Sequence, residues 1–122
     1  MNEVSQKLSP TQILQITNTL RTIGLKSSHI GTKLINKSIQ YILTNNFDFF
    51  TLEEIYSYLH GIYNFNERTI KSNINNAITN RSIKKSKDNF QKVFGYEYDS
   101  YTFEPKSFLE EVSRIIYSYL KY

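Results

Sequence analysis

The stretch from Leu52 to Arg81 constrains this chain most, because two helical patterns meet in it across a short run of turn-forming residues. Thr51-Leu52-Glu53-Glu54 opens the first. A Thr followed three residues later by Glu is a capping box, in which each side chain satisfies a backbone N–H that the helix leaves unpaired. Ile55, Tyr56 and Leu59 then recur at helical spacing, as a half-buried helix requires. Gly61 and Asn64-Phe65-Asn66 are stop and turn signals, since Gly and Asn tolerate the left-handed backbone that ends a helix. Asn66 caps the next helix and Glu67 lies in its first turn, against the positive end of the helix dipole.

In that second helix Ile70, Ile74, Ala77 and Ile78 fall on one stripe. At about 100° per residue, the opposite face carries Arg68, Ser72, Asn75, Asn76 and Thr79, with Thr69 and Lys71 on its flanks. No carboxylate lies there, whereas a solvated helix face usually mixes Glu with its Lys. The residue types suit base reading. An Asn amide matches the N6 and N7 edge of adenine, Arg matches guanine, and Ser or Thr pairs with either. The stretch therefore reads as a helix-turn-helix with base-reading candidates Arg68, Lys71, Ser72, Asn75, Asn76 and Thr79.

Charge is distributed to match. Residues 66–92 hold seven basic and two acidic residues, out of 15 and 11 in the 122-residue chain, so the excess over its net +4 is concentrated there. Such local concentration is the footprint expected for a polyanion. After Arg81 the run Ser82-Ile83-Lys84-Lys85-Ser86-Lys87 reads as a basic loop. Arg81, Lys84, Lys85 and Lys87 are its candidate phosphate contacts, which supply affinity and register but no sequence information. An anionic membrane surface would attract the same charge, but the helix lacks the broad apolar face of an interfacial anchor.

The rest of the chain predicts an all-α bundle of about six helices. Residues 1–8 form a loose arm, and 9–122 a single domain of a size for one core. Ser9-Pro10-Thr11-Gln12 opens the first helix with a capping box and Pro at its first position. Ile13, Ile16, Leu20 and Ile23 are its inward stripe, and Gly24 ends it. A loop from Leu25 to Gly31 leads to a helix over 32–44 with Leu34, Ile35, Ile39 and Ile42 inward, stopped by Asn45-Asn46. Phe47, Phe49 and Phe50 are too dense for an exposed connection and are expected to plug the core. Asp88 to Phe94 reads as a short helix. The segment 95–103, with Asp99-Ser100 at its centre, is either a small β-hairpin wing or, slightly favoured, an extended loop on the core. Pro105 opens a last helix whose Phe108, Leu109, Val112, Ile115, Ile116, Tyr119 and Leu120 form a long stripe, for the core or else for a second copy.

In this order the chain resembles the DNA-binding effector domain of the master sporulation response regulators of endospore-forming bacteria, the stage-zero A transcription factors. The resemblance rests on Ile23-Gly24 with His29-Ile30-Gly31, on Leu34-Ile35 through Ile39, on Ile55-Tyr56, Leu59 and Tyr63-Asn64, on Ile70, Ile74, Ala77 and Ile78, and on Phe94-Gly95-Tyr96 ahead of Phe108. It spans roughly residues 12–120, with the His-Ile pair shifted by one residue. It implies an all-helical fold that places the second helix of its helix-turn-helix in the major groove. The family's base-reading positions fall on Lys71, Ser72 and Asn75, where the family has an acid and two Arg, so a shared fold implies a different target site. The family's phosphate-sensing receiver domain is not expected ahead of the module, so the resemblance does not carry over control by phosphorylation.

Other chemistry finds little support. Without Cys there is neither a disulfide nor a thiolate site. His29 and His60 stand 31 residues apart with no metal-ligand spacing, and no phosphate loop or nucleophile motif occurs. No catalytic residue, metal or other cofactor, and no small-molecule ligand, is expected. Met1 to Pro10 is polar, so no secretion signal is read there, no apolar run reaches membrane-span length, and a cytoplasmic location fits. The heavy use of Ile, Asn, Lys, Tyr and Phe matches an AT-rich bacterial, phage or plasmid source. The leading expectation is a sequence-specific transcriptional regulator on double-stranded DNA, as a homodimer if one reading helix covers a half-site. The alternatives are a plasmid or phage accessory protein at an origin of transfer or replication, and a protein-interaction module that has lost DNA binding.

Overall fold

Capping side chains set most of the helix boundaries in this chain. The computed structural model describes residues 8–45 and 49–120, and among these it is all-helical. Helix α1 spans Pro10–Thr22, α2 Ile30–Thr44, α3 Leu52–Tyr63, α4 Glu67–Thr79, α5 Ile83–Phe94 and α6 Pro105–Leu120, with a 3₁₀ turn at Ser100–Phe103 ahead of α6. Both halves of the Ser9–Gln12 capping box form, at 3.1 and 2.7 Å. Only half of the Thr51–Glu54 box does. Thr51 Oγ1 accepts from the Glu54 N–H at 3.1 Å. The Glu54 carboxylate accepts instead from the Tyr41 hydroxyl at 2.7 Å, which ties α3 to α2.

Helix α2 is the centre of the bundle, packing against α1, α3, α4 and α6. It begins two residues before the expected start, because His29 Nδ1 accepts from the Gly31 N–H at 2.9 Å and caps it. Leu34, Ile35, Ile39 and Ile42 are buried as their spacing predicts. Gly61 does not end α3 but lies inside it. The terminator is Asn64, in the left-handed conformation at φ 59°.

Two segments differ more. The Lys84–Lys87 run is not a loop, since Ser82 Oγ accepts from the Lys85 N–H at 3.2 Å and α5 is one helix from Ile83 to Phe94. Its inward residues begin with a serine, Ser86, followed by Phe90 and Phe94. That polar member hides the stripe from a hydrophobicity reading. The segment 95–103 holds no hairpin. Asp99 Oδ1 accepts from the Tyr101 N–H at 3.0 Å and starts the 3₁₀ turn, so the residue read as a hairpin tip is a cap.

Phe90, Phe94 and Phe103 pack ring against ring with Tyr96, Tyr98 and Phe108, so α5, the 3₁₀ turn and α6 share an aromatic cluster. In the α2–α3 connection Phe50 is buried, but Phe49 is 75% exposed and no plug. Phe47 lies outside the described residues. Tyr119, expected in the α6 stripe, is exposed, whereas Leu8, assigned to the arm, packs against the core. No described helix is long and apolar enough to cross a membrane.

Candidate nucleic-acid interface

Helix α4 is fixed from beneath. Asn66 Oδ1 accepts from the Thr69 N–H at 2.8 Å, and Ile70, Ile74, Ala77 and Ile78 are all buried. Helix α2 touches it backbone to backbone. A Cβ placed on Gly31 would stand 1.9 Å from the Asn73 carbonyl oxygen and 2.7 Å from Ala77 Cβ, so only glycine allows this approach. A three-residue connection, Asn64 to Asn66, joins α3 to α4.

With the apolar stripe held inward, Arg68, Lys71, Ser72, Asn76 and Thr79 are exposed and Asn75 is half-buried at the edge of that face. None of these six side chains pairs with another described residue. The three ion pairs among the described residues, Lys84–Asp88, Lys106–Glu110 and Arg114–Glu111, lie elsewhere. From Arg68 to Thr79 the row runs about 16 Å at a rise of 1.5 Å per residue. Its donors and amides remain available to a partner outside the molecule.

The four cations assigned to phosphates are not brought together. Arg81 is committed inside the protein. Its Nε donates to Ser86 Oγ at 2.8 Å, Nη1 to the Ile78 carbonyl at 2.8 Å and Nη2 to the Tyr98 hydroxyl at 3.3 Å. The guanidinium also lies 3.6 Å from the Phe103 ring centre. It ties α4, α5 and the aromatic cluster together, so this half-buried guanidinium, expected at a phosphate, is already engaged within the protein. Because α5 is a helix, Lys85 and Lys87 project to nearly opposite sides of it, with Lys84 a neighbour of Lys87. Lys84 is paired with Asp88 at 2.6 Å, which holds its pKa above the usual lysine value. Lys87 stands 5.7 Å from the Tyr98 ring centre. Lys85 faces a cleft that it shares with Asn18, Arg21, Thr22 and Asn89, lined by no carboxylate.

Arg21 was not singled out from the sequence. It is brought beside Lys85 by long-range bonds between α1 and α5. Ser86 Oγ donates to the Ile23 carbonyl at 2.7 Å, Asn89 Nδ2 to the Thr22 carbonyl at 2.9 Å, and the Ser82 N–H to the Gly24 carbonyl at 2.8 Å. The two histidines serve the backbone: His29 caps α2, and His60 Nδ1 bonds the Phe65 carbonyl at 2.7 Å across the α3–α4 turn. Comparison with protein-family models, curated proteins and solved structures found no significant match to this chain.

Proposed function

We propose that this protein binds double-stranded DNA sequence-specifically as a transcriptional regulator, with α3 and α4 as a helix-turn-helix and α4 in the major groove. The observation that carries the proposal is the outer face of α4, a row of exposed Arg, Lys, Ser, Asn and Thr without a carboxylate or an internal partner. A major groove about 12 Å wide admits a helix, and those side chains match the hydrogen-bonding edges that it presents. The resemblance to the sporulation regulators points the same way, with a different site expected. Lys71, Ser72 and Asn75 stand at the reading positions, and an Asn amide favours adenine. Of the proposed phosphate contacts, Lys85 is retained as the best placed. It lies in the first turn of α5, a short link beyond the C-terminus of α4, with Arg21 rather than an acid beside it.

Selection from a random-site duplex library, followed by fluorescence anisotropy on the enriched site, tests the reading. Enrichment of a short motif is expected. Asn75→Ala and Asn76→Ala should each weaken the selected site by about 1–3 kcal/mol while leaving random DNA unchanged. Equal losses on both would remove these residues from base reading. No enrichment, together with a stable protein complex, would instead favour an interaction module, for which Phe49 and Tyr101, 75% and 73% exposed, are available aromatics. An origin-binding role would have to do without the hairpin wing at 95–103.

A further inference from the structure

A cleft of about 370 Å³ between α1 and α2 is unrelated to the outer face of α4. Its volume lies within the range of small-molecule sites. Ile13, Leu20 and Tyr63 give it apolar walls, and Lys33 and Lys37 line it as well. Neither lysine has an ion-pair partner among the described residues, and no carboxylate lines the cleft.

The polar lining is organised. Gln40 Nε2 donates to Asn36 Oδ1 at 2.8 Å, Asn36 Nδ2 to Thr17 Oγ1 at 3.0 Å, and Thr17 Oγ1 to the Ile13 carbonyl at 3.3 Å. Each amide nitrogen in this chain keeps one N–H to spare, and the lysines add ammonium donors, whereas Gln40 Oε1 is the one amide oxygen left over. Thr32, also in the lining, is 95% buried, and its hydroxyl has no hydrogen-bond partner. A donor-rich rim over an apolar floor calls for a ligand with acceptors at one end and hydrocarbon at the other.

We propose that this cleft binds a small organic anion, a monocarboxylate with an aromatic or branched aliphatic body. The carboxylate is held by Lys33 and Lys37, and the body rests on Ile13, Leu20 and Tyr63. Two of the lining residues connect the site to α4. Thr32 follows Gly31, which is wedged against Asn73 and Ala77, and Tyr63 precedes Asn64, the left-handed residue of the turn into α4. Occupancy is therefore felt at α4. That this alters DNA binding rests on the function proposed above, but the site itself does not.

The test is an NMR titration of the ¹⁵N-labelled full chain with 4-phenylbutyrate, set beside its neutral amide, 4-phenylbutyramide. Saturable shifts are expected at the backbone amides of Thr17, Lys33, Asn36, Lys37 and Tyr63, and also at Asn73 and Ala77 of α4. The neutral amide should bind roughly fivefold more weakly, as two partly exposed charge contacts allow. In the surface double variant Lys33→Gln/Lys37→Gln that preference should vanish. Absence of saturable shifts in the cleft, equal affinity for acid and amide, or a preference that survives in the variant would overturn the site. Shifts confined to the cleft would overturn the link to α4. No DNA is present, so failure here leaves the DNA reading standing, and failure of DNA binding leaves this site standing.

Discussion

At the scale of single residues, charge alone is a poor guide to role. Arg81 and Lys85 both belong to the basic segment, yet one is spent inside the fold and the other lines an open cleft. Arg81→Ala removes three donated hydrogen bonds and a ring contact, and should destabilise the protein by about 2–4 kcal/mol in chemical unfolding. Arg81→Lys should recover little of this, because an ammonium lacks the planar fork that reaches three acceptors and stacks on Phe103. A variant as stable as the parent would return Arg81 to the surface. Tyr41 makes a different prediction. Its hydrogen bond to Glu54 pushes its pKa up to about 12 from 10.0, with burial and the Glu54 charge adding to the effect. A raised folded-state value means that the native protein holds the proton more tightly than the unfolded chain. The stability due to this pair is fully present below pH 10 and fades as the pH rises through about 12. Tyr41→Phe should therefore flatten the stability profile over that window. A profile unchanged by the substitution would mean that the bond to Glu54 adds nothing in solution.

At the scale of elements, two glycines separate what the sequence makes legible from what it does not. Gly31→Ala would drive a methyl group into the backbone of Asn73, so α2 and α4 must part, and a loss of at least about 2–3 kcal/mol is expected. Gly61→Ala has open space around it inside α3 and should stabilise by roughly 0.5–1 kcal/mol. Thermal unfolding of both variants checks the opposed signs, and a neutral Gly31→Ala would contradict the close approach. Nothing local distinguishes the two positions, since Gly31 reads as the end of a loop and Gly61 as a helix stop, yet both lie inside helices. Helix α4, with its wholly apolar buried stripe, was legible from periodicity and caps, and so was α2, whose Thr32 and Ser38 lie buried among Leu and Ile. Of α5 only residues 88–94 were; its first turn was not, because Ser86 occupies an inward position to bond the Ile23 carbonyl, a partner 63 residues away. Asp99 misled for a related reason, as the same side chain suits a hairpin tip or a helical cap and only its bond to the Tyr101 N–H decides. The outer face of α4 was readable because it is local to one helix. The cleft that joins Arg21 to Lys85, and the one that joins Lys33 and Lys37 to Tyr63, exist only after α1 has packed.

At the scale of the whole molecule, the proposed DNA binding turns on how many of the clustered positive charges can reach one duplex. A basic loop would bring Lys84, Lys85 and Lys87 to the phosphates together, and each would release counterions on binding. Helix α5 separates Lys85 from Lys87. At about 100° per residue Lys85 lies towards α1 and Lys87 towards Tyr98, while Lys84, beside Lys87 on the helix surface, is already offset by Asp88. The salt dependence of DNA binding should therefore respond unequally to three equivalent neutral substitutions. Lys85→Gln is expected to reduce the slope of log affinity against log salt by about one, as is Arg21→Gln beside it. Lys84→Gln and Lys87→Gln should leave the slope nearly unchanged. Anisotropy titrations on the selected duplex between about 50 and 200 mM salt span the range in which such contacts tell. Equal reductions for all three lysines would mean that the first turn of α5 unwinds on DNA and restores the loop. No reduction for any of them would leave the phosphates to Arg68 and Lys71 on α4 itself.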